Sequence, residues 1–220
     1  MSTSIGRQGI WIMDADGAHQ RFLVAGESAS WSPDGKQIAF SRNGQVFVIN
    51  ADGNNQKQIS HGPTVRSHPS WSHDGKQLAF FISEPKPAIG VMNADGSQER
   101  ILQAVASTTA NTAKAPNFSP VENRIAFWSA ADGQTGQIWT IKSDGTDGKR
   151  LTGESANRNN DDPSWSPDGK KILFSASENG HSELWVMDSD GNNGRKLFPI
   201  DAAPFPSRAS WQPIKRRIGI

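Results

Sequence analysis

The chain has no cysteine in its 220 residues, which excludes disulfides, zinc–thiolate sites and a thiol nucleophile. It has no excess of charge of one sign: 23 Lys and Arg face 22 Asp and Glu, for a formal net charge of +1. No global basic field exists to draw in nucleic acid. The one short basic cluster, Lys215, Arg216 and Arg217, reads as a solvated turn. The opening stretch MSTSIGRQGIWIMDADG has no apolar core ahead of a small-residue cleavage site, so no signal peptide is expected. No apolar run approaches the length of a membrane span, so a soluble product is expected. A mature or excised domain separated from its leader would look the same. Catalytic signatures are missing too. There is no Gly-x-Ser-x-Gly elbow, no His-Glu-x-x-His pair and no Gly-Lys-Ser/Thr phosphate loop. The histidines His19, His61, His68, His73 and His181 are scattered. The expectation is a protein that is not an enzyme.

What is present is repetition. SWSPDGKQIAF (Ser30 to Phe40) returns as SWSHDGKQLAF (Ser70 to Phe80) and SWSPDGKKILF (Ser164 to Phe174). Aligned on its aromatic, the motif falls at Trp31, Trp71, Phe118, Trp165 and Trp211, at intervals of 40, 47, 47 and 46 residues. A second motif keeps step: IWIMDADG from Ile10, VFVINADG from Val46, IGVMNADG from Ile89, IWTIKSDG from Ile138 and LWVMDSDG from Leu184. Two motifs in constant order at periods in the forties, with strand and turn content, point to propeller blades. The hydrophobic fraction of 35%, with 21 Gly and 13 Pro, suits antiparallel sheets joined by polar turns.

Each unit reads as four strands: a short first strand such as Pro69 to Ser72, then Gln37 to Ser41, Gln45 to Asn50 and Gln56 to Ser60 in the first full copy. Pro33 presets φ in the first turn and Gly35 tolerates positive φ there. The repeated tryptophans have the bulk to fill the space between sheets and are assigned to the core. The chain begins with a third and a fourth strand (Gly9 to Met13, Gln20 to Val24). It ends with a first and a second (Ala209 to Trp211, Arg217 to Ile220). The predicted fold is therefore all-β: one propeller domain over 1–220 with five four-stranded antiparallel blades. The blades lie near 26–62, 63–104, 112–153 and 160–199, and a closing blade is shared by 207–220 and 1–25. Such pairing covers two sheet edges that otherwise invite association, and a monomer is expected. A fragment of a longer propeller would instead associate through those edges.

The combination WSPDGKQIAF…VFVINADG resembles the WD-type repeats of TolB-like β-propellers, bacterial cell-envelope proteins, over nearly the whole chain. The resemblance implies a protein- or peptide-binding scaffold, with a periplasmic setting as the alternative to the cytoplasmic one that a leaderless chain suggests. Related repeats in peptidase-associated domains and polysaccharide lyases imply a second reading, an enzyme or enzyme accessory acting on a polar polymer or peptide. Two copies depart from the motif: Glu122 and Lys215 stand where the others have Gly, and both turns are expected to be less regular.

Strand alternation sorts the loops. The Pro-Asp-Gly and Ala-Asp-Gly turns share one end; the loops between second and third strands and between blades share the other, and these vary in sequence. A rigid scaffold with variable loops places binding there. Glu27, Ser28, Arg66, His68, Lys114, Asp161, Asp162 and Arg208 precede the first strands and are expected to ring the channel mouth. The pairs Asp14/Asp16, Asn50/Asp52, Asn93/Asp95, Lys142/Asp144 and Asp188/Asp190 resemble calcium ligands. Lys142 at a ligand position and the lack of further acidic ligands favour plain turn chemistry. No cofactor is called for, no catalytic or metal-binding residue is assigned, and a channel cation such as calcium stays open.

Overall fold

The computed structural model describes residues 9–83, 87–102, 112–130, 135–153, 157–179 and 181–198. Four four-stranded antiparallel sheets follow one another along the chain. The first contains β3 (Glu27–Trp31), β4 (Gln37–Arg42), β5 (Gln45–Asn50) and β6 (Lys57–Gln58). The second contains β7 (Arg66–Trp71), β8 (Gln77–Ile82), β9 (Ala88–Asn93) and β10 (Arg100–Leu102). The third contains β11 (Thr112–Phe118), β12 (Arg124–Ala130), β13 (Gln137–Lys142) and β14 (Lys149–Arg150). The fourth contains β15 (Asn159–Trp165), β16 (Lys171–Glu178), β17 (His181–Asp188) and β18 (Arg195–Phe198). A two-stranded sheet of β1 (Ile10–Ile12) and β2 (Arg21–Val24) precedes them. No helix lies among the described residues. The chain folds as an all-β propeller.

The packing follows from strand alternation. Successive side chains point to opposite faces, so each central strand feeds two different layers. Ala39 and Val48 face the second sheet and join Trp71, Leu78, Phe80 and Met92. Their neighbours Ile38, Phe40, Phe47 and Ile49 face the other way and join Ile10, Ile12, Leu23 and Val24 of the N-terminal sheet. The pattern recurs between the second and third sheets around Phe118 and Phe127, and between the third and fourth around Trp165 and Phe174. The core is a stack of layers between blades.

Trp71, Phe118 and Trp165 are buried as expected, but Trp31 is 50% exposed. By register Trp31 faces the N-terminal sheet, which the described residues show only as a third and a fourth strand. The first and second strands that would lie over Trp31 are those expected from Ala209 to Ile220, outside the described residues. Closure of the ring through the C-terminal strands lies there too.

Blades are also tied at the rim by one periodic cation. Arg21 donates to Ala51 O, Lys57 to Asp95 O (3.5 Å), Arg100 to Ser143 O and Lys149 to Asp190 O (2.7 Å). Each lies four residues after the Gly of its Asp-Gly turn and reaches the corresponding turn of the next blade. Arg195 stands at the same step after Gly191.

Candidate binding site at the channel mouth

The inner strand of each described blade is longer than its sequence suggests, and the reason is a bulge. Glu27 pairs with Ser41 and Ser30 with Ala39, so β3 carries one more residue than β4 over that interval. The same shift occurs at Ser67/Ser70, Lys114/Asn117 and Asp161/Ser164. An extra residue bends the strand and re-aims a side chain. At each bulge one residue takes a left-handed conformation: Ser28 (φ 54°), His68 (φ 54°), Ala115 (φ 52°) and Asp162 (φ 50°). All four sit three residues before the repeated aromatic. None is glycine, so each carries backbone strain of ~1–3 kcal/mol that the rest of the fold must hold in place.

The inner strands converge on a cavity of ≈ 260 Å³ lined in three tiers. The outer tier is Ser28, His68, Ala115 and Asp162; the middle tier is Ala29, Pro69, Pro116 and Pro163; the inner tier is Ser30, Ser70, Asn117 and Ser164. The middle tier is apolar and stiff. The inner tier stitches blades together: Trp71 N donates to Ser30 Oγ (3.4 Å), Phe118 N to Ser70 Oγ (2.9 Å) and Trp165 N to Asn117 Oδ1 (3.1 Å). The outer tier is anchored by its backbone, as where His68 N donates to the buried Ser41 Oγ at 3.1 Å.

The residues expected at the mouth divide on this geometry. Ser28, His68 and Asp162 line the cavity; Ala115 completes the tier without having stood out in the sequence. Glu27 is exposed at the start of β3. Arg66 opens β7, and its guanidinium is held by Glu99 through Nε (3.0 Å to Oε1) and Nη2 (2.9 Å to Oε1), with Nη1 on Thr64 O at 2.9 Å. Asp161 accepts the Asp162 amide through Oδ1 at 2.8 Å. Lys114 lies in β11 just before the bulge, with its side chain outside the described residues, as is Arg208. Glu27, Ser28, Arg66, His68, Lys114, Asp161 and Asp162 do not precede the first strands; they belong to them. Proline two positions before the aromatic looks like a strand start, yet pairing resumes beyond the bulge.

The opposite end is built from one hydrogen-bond unit. Ser32 Oγ donates to Asp34 Oδ1 (2.7 Å) and accepts Gln37 N (2.9 Å), while Asp34 accepts Lys36 N (3.0 Å). Ser72 with Asp74 and Ser166 with Asp168 repeat it. The Ser32 hydroxyl, then the Lys36 amide, hold the Asp34 carboxyl below the usual range. Asp168 is lowered in the same way by Ser166 and Lys170. At Asp74 desolvation opposes the shift, and the bonds from Ser72 and Lys76 outweigh it. In the third blade Val121 replaces the Asp and Glu122 the Gly, and Ser119 Oγ keeps only a 3.4 Å contact from Val121 N. That turn is less regular, as expected; the Lys215 turn lies outside the described residues. In the Ala-Asp-Gly and Ser-Asp-Gly turns, Asp52, Asp95, Asp144 and Asp190 each accept the amide two residues on, at 2.8–2.9 Å. Among the described residues no three His, Asp or Glu side chains come together to hold a metal.

Two polar pins escaped the sequence reading. Ser60 Oγ accepts Val46 N and donates to Gln45 Oε1 (both 2.8 Å), while Gln45 Nε2 donates to Gly62 O (2.9 Å). Thr152, Ile138 and Gln137 repeat the device, with Gln137 Nε2 on Arg158 O at 3.0 Å. Each fixes a blade-to-blade loop at the mouth end. The signal was a Gly-Gln before the third strand, at Gly44-Gln45 and Gly136-Gln137.

A family profile described as the PD40 TolB beta propeller domain matches residues 43–213. No protein with a curated description matches the chain. Among solved structures, the crystal structure of TolB from Acinetobacter baumannii is similar at a TM-score of 0.72 and 23% identity, covering 86% of this chain and 48% of that one. The chain thus spans about half the length of that TolB. A puromycin-hydrolysing peptidase from Mycobacterium tuberculosis is similar at 0.69 and 15% identity, covering 93% and 37%. An oligogalacturonate lyase in complex with manganese is similar at 0.65 and 14%, covering 85% and 58%. At these identities the likeness is one of fold.

Proposed function

The chain belongs to the TolB beta propeller family, and from that premise we propose that it is a non-enzymatic scaffold that binds a protein or peptide segment at the channel mouth. The observation that carries this reading is the outer tier. Four blades hold the same strained backbone at the same register, yet present Ser28, His68, Ala115 and Asp162 there. The tiers beneath repeat small or proline residues and then hydroxyl or amide residues. Where the fold dictates a side chain, the copies agree; where they differ at a costly backbone position, the side chain serves something outside the fold. An extended segment suits a mouth that is rigid, polar and of mixed character.

The test is selection of displayed random peptides on the immobilised protein, repeated with His68→Ala and Asp162→Ala. The reading expects enriched sequences whose capture weakens in either variant. Absence of enrichment, or capture indifferent to both substitutions, would contradict it. Turnover of a glycan or peptide substrate that is lost in His68→Ala would instead make the mouth an active site.

A further inference from the structure

We propose that the floor of the channel is a carboxylate site. The inner tier has a chemical polarity that the blade-to-blade bonds impose. Ser30 Oγ, Ser70 Oγ and Asn117 Oδ1 each accept a backbone amide of the next blade. The oxygens are thereby oriented by the scaffold, and what each group has left to offer is hydrogen: a hydroxyl proton from Ser30 and from Ser70, two amide protons from Asn117. Among the described residues none of these protons has a protein acceptor. Ser70 is 6% exposed, so its hydroxyl is a buried donor. Buried donors in native proteins find acceptors. All three side chains line the same ≈ 260 Å³ cavity, into which their protons can turn.

Preorganised donors converging from separate strands match an acceptor with several lone pairs. A carboxylate has about four such sites and bonds neutral donors more strongly than a neutral carbonyl does. The middle tier of Ala29, Pro69, Pro116 and Pro163 admits the carbon behind it without competing for hydrogen bonds. Asp162 is the carboxylate already in the lining, and it lies in the outer tier, two positions outward of Ser164. Its like charge opposes a second carboxylate, and the oriented donors of the inner tier must outweigh that repulsion. The carboxylate has two sources, a free small acid or the C-terminus of a segment docked at the mouth. Only the second rests on the reading given above.

The experiment is an NMR titration of the whole chain with sodium acetate in low-chloride buffer, following the Trp71, Phe118 and Trp165 amides. These amides bond the three oriented oxygens and report on them directly. Saturable shifts of this set are expected in the wild type. Asn117→Asp keeps an oxygen for the Trp165 amide but exchanges donor hydrogens for a charge, and it is expected to weaken acetate by at least about tenfold. Linear or absent shifts, or equal affinity in Asn117→Asp, would overturn the site and leave water as its occupant. Should Asn117→Asp not fold, Ser70→Thr, which retains the hydroxyl, must keep acetate binding and Ser70→Ala must lose it. A second arm compares trialanine with a free and an amidated C-terminus. Preference for the free acid places a peptide end at the floor. Acetate binding with neither peptide bound upholds the floor and counts against the mouth as a peptide site.

Discussion

The two ends of this propeller are made from the same repeat and behave oppositely. At the turn end, Ser32, Ser72 and Ser166 carry out one hydrogen-bond scheme with Asp34, Asp74 and Asp168, and the copies are nearly superposable in chemistry. At the loop end the backbone is just as repetitive, with four left-handed bulges, but the side chains on it are Ser28, His68, Ala115 and Asp162. One end spends its side chains on holding the chain; the other holds its side chains with backbone and with buried pins such as Ser60–Gln45. Under the proposed binding role, stability and recognition are separated along the axis of the molecule, as in a rigid scaffold with functional loops.

The largest perturbation is one that breaks the layers both ends depend on. Trp71→Ala or Trp165→Ala is expected to cost ~3–5 kcal/mol in urea unfolding, since each ring is buried between blades. Trp31→Ala, at 50% exposure, is expected to cost less than half as much. Equal losses at Trp31 and Trp71 would show that the face over Trp31 is fully covered. Next comes the turn end alone. Ser72 is fully buried, accepts Gln77 N and donates to Asp74, so Ser72→Ala is expected to cost about 1–3 kcal/mol. Ser119→Ala serves as the internal control: its turn has lost the Asp partner, and a smaller loss is expected there.

The same turns predict an acid response. Asp34, Asp74 and Asp168 titrate below their ordinary 3.8 in the folded chain, so the folded state favours their ionised form. That contribution is present above pH 3.8 and is lost as pH falls from there through the depressed folded values. Unfolding free energy should therefore decline over that acid range, and more shallowly in Ser72→Ala. An unchanged slope in that variant would detach the turn hydroxyls from the acid response. The smallest effect on stability belongs to the mouth. His68→Gly relieves a left-handed backbone but gives up the hydrogen bond between Ser67 Oγ and His68 Nδ1 (2.9 Å) and adds chain entropy to the unfolded state, effects of opposite sign, so the net shift in stability should stay within about 1 kcal/mol while peptide capture weakens. A large destabilisation there would mean that the mouth side chains hold the fold after all.

Much of this architecture was legible because two motifs in fixed order leave few folds to choose from. Gln45–Asn50 is legible to the residue, since a short apolar run, Val46 to Ile49, bounded by Gly44 and the Ala-Asp-Gly turn has the length of a buried strand. The inner strands were placed short because Pro69, Pro116 and Pro163 interrupt the pattern that marks a strand, while the bulge that accommodates them is a backbone event with no composition of its own. The same bulge hid the site. Ser28, His68 and Asp162 line the cavity and their sequence neighbours Glu27, Arg66 and Asp161 do not, because sequence distance from the aromatic does not reveal which side chain a bulge re-aims. Arg66 is expected at the mouth from its place just before a first strand; its partner Glu99 lies 33 residues on, beyond local reading. Trp31 lies where the described repeats end, since the strands expected over it, Ala209 to Ile220, fall outside the described residues.

The most direct test of the division between the two ends is hydrogen exchange of the protein with and without a peptide selected on it. The account predicts added protection in the inner-strand segments 27–30, 66–70, 112–117 and 159–164, with segments 32–37, 72–77 and 166–171 unchanged. Protection at the Ser-Asp turns, with the inner strands unaffected, would place recognition at the wrong end and contradict it.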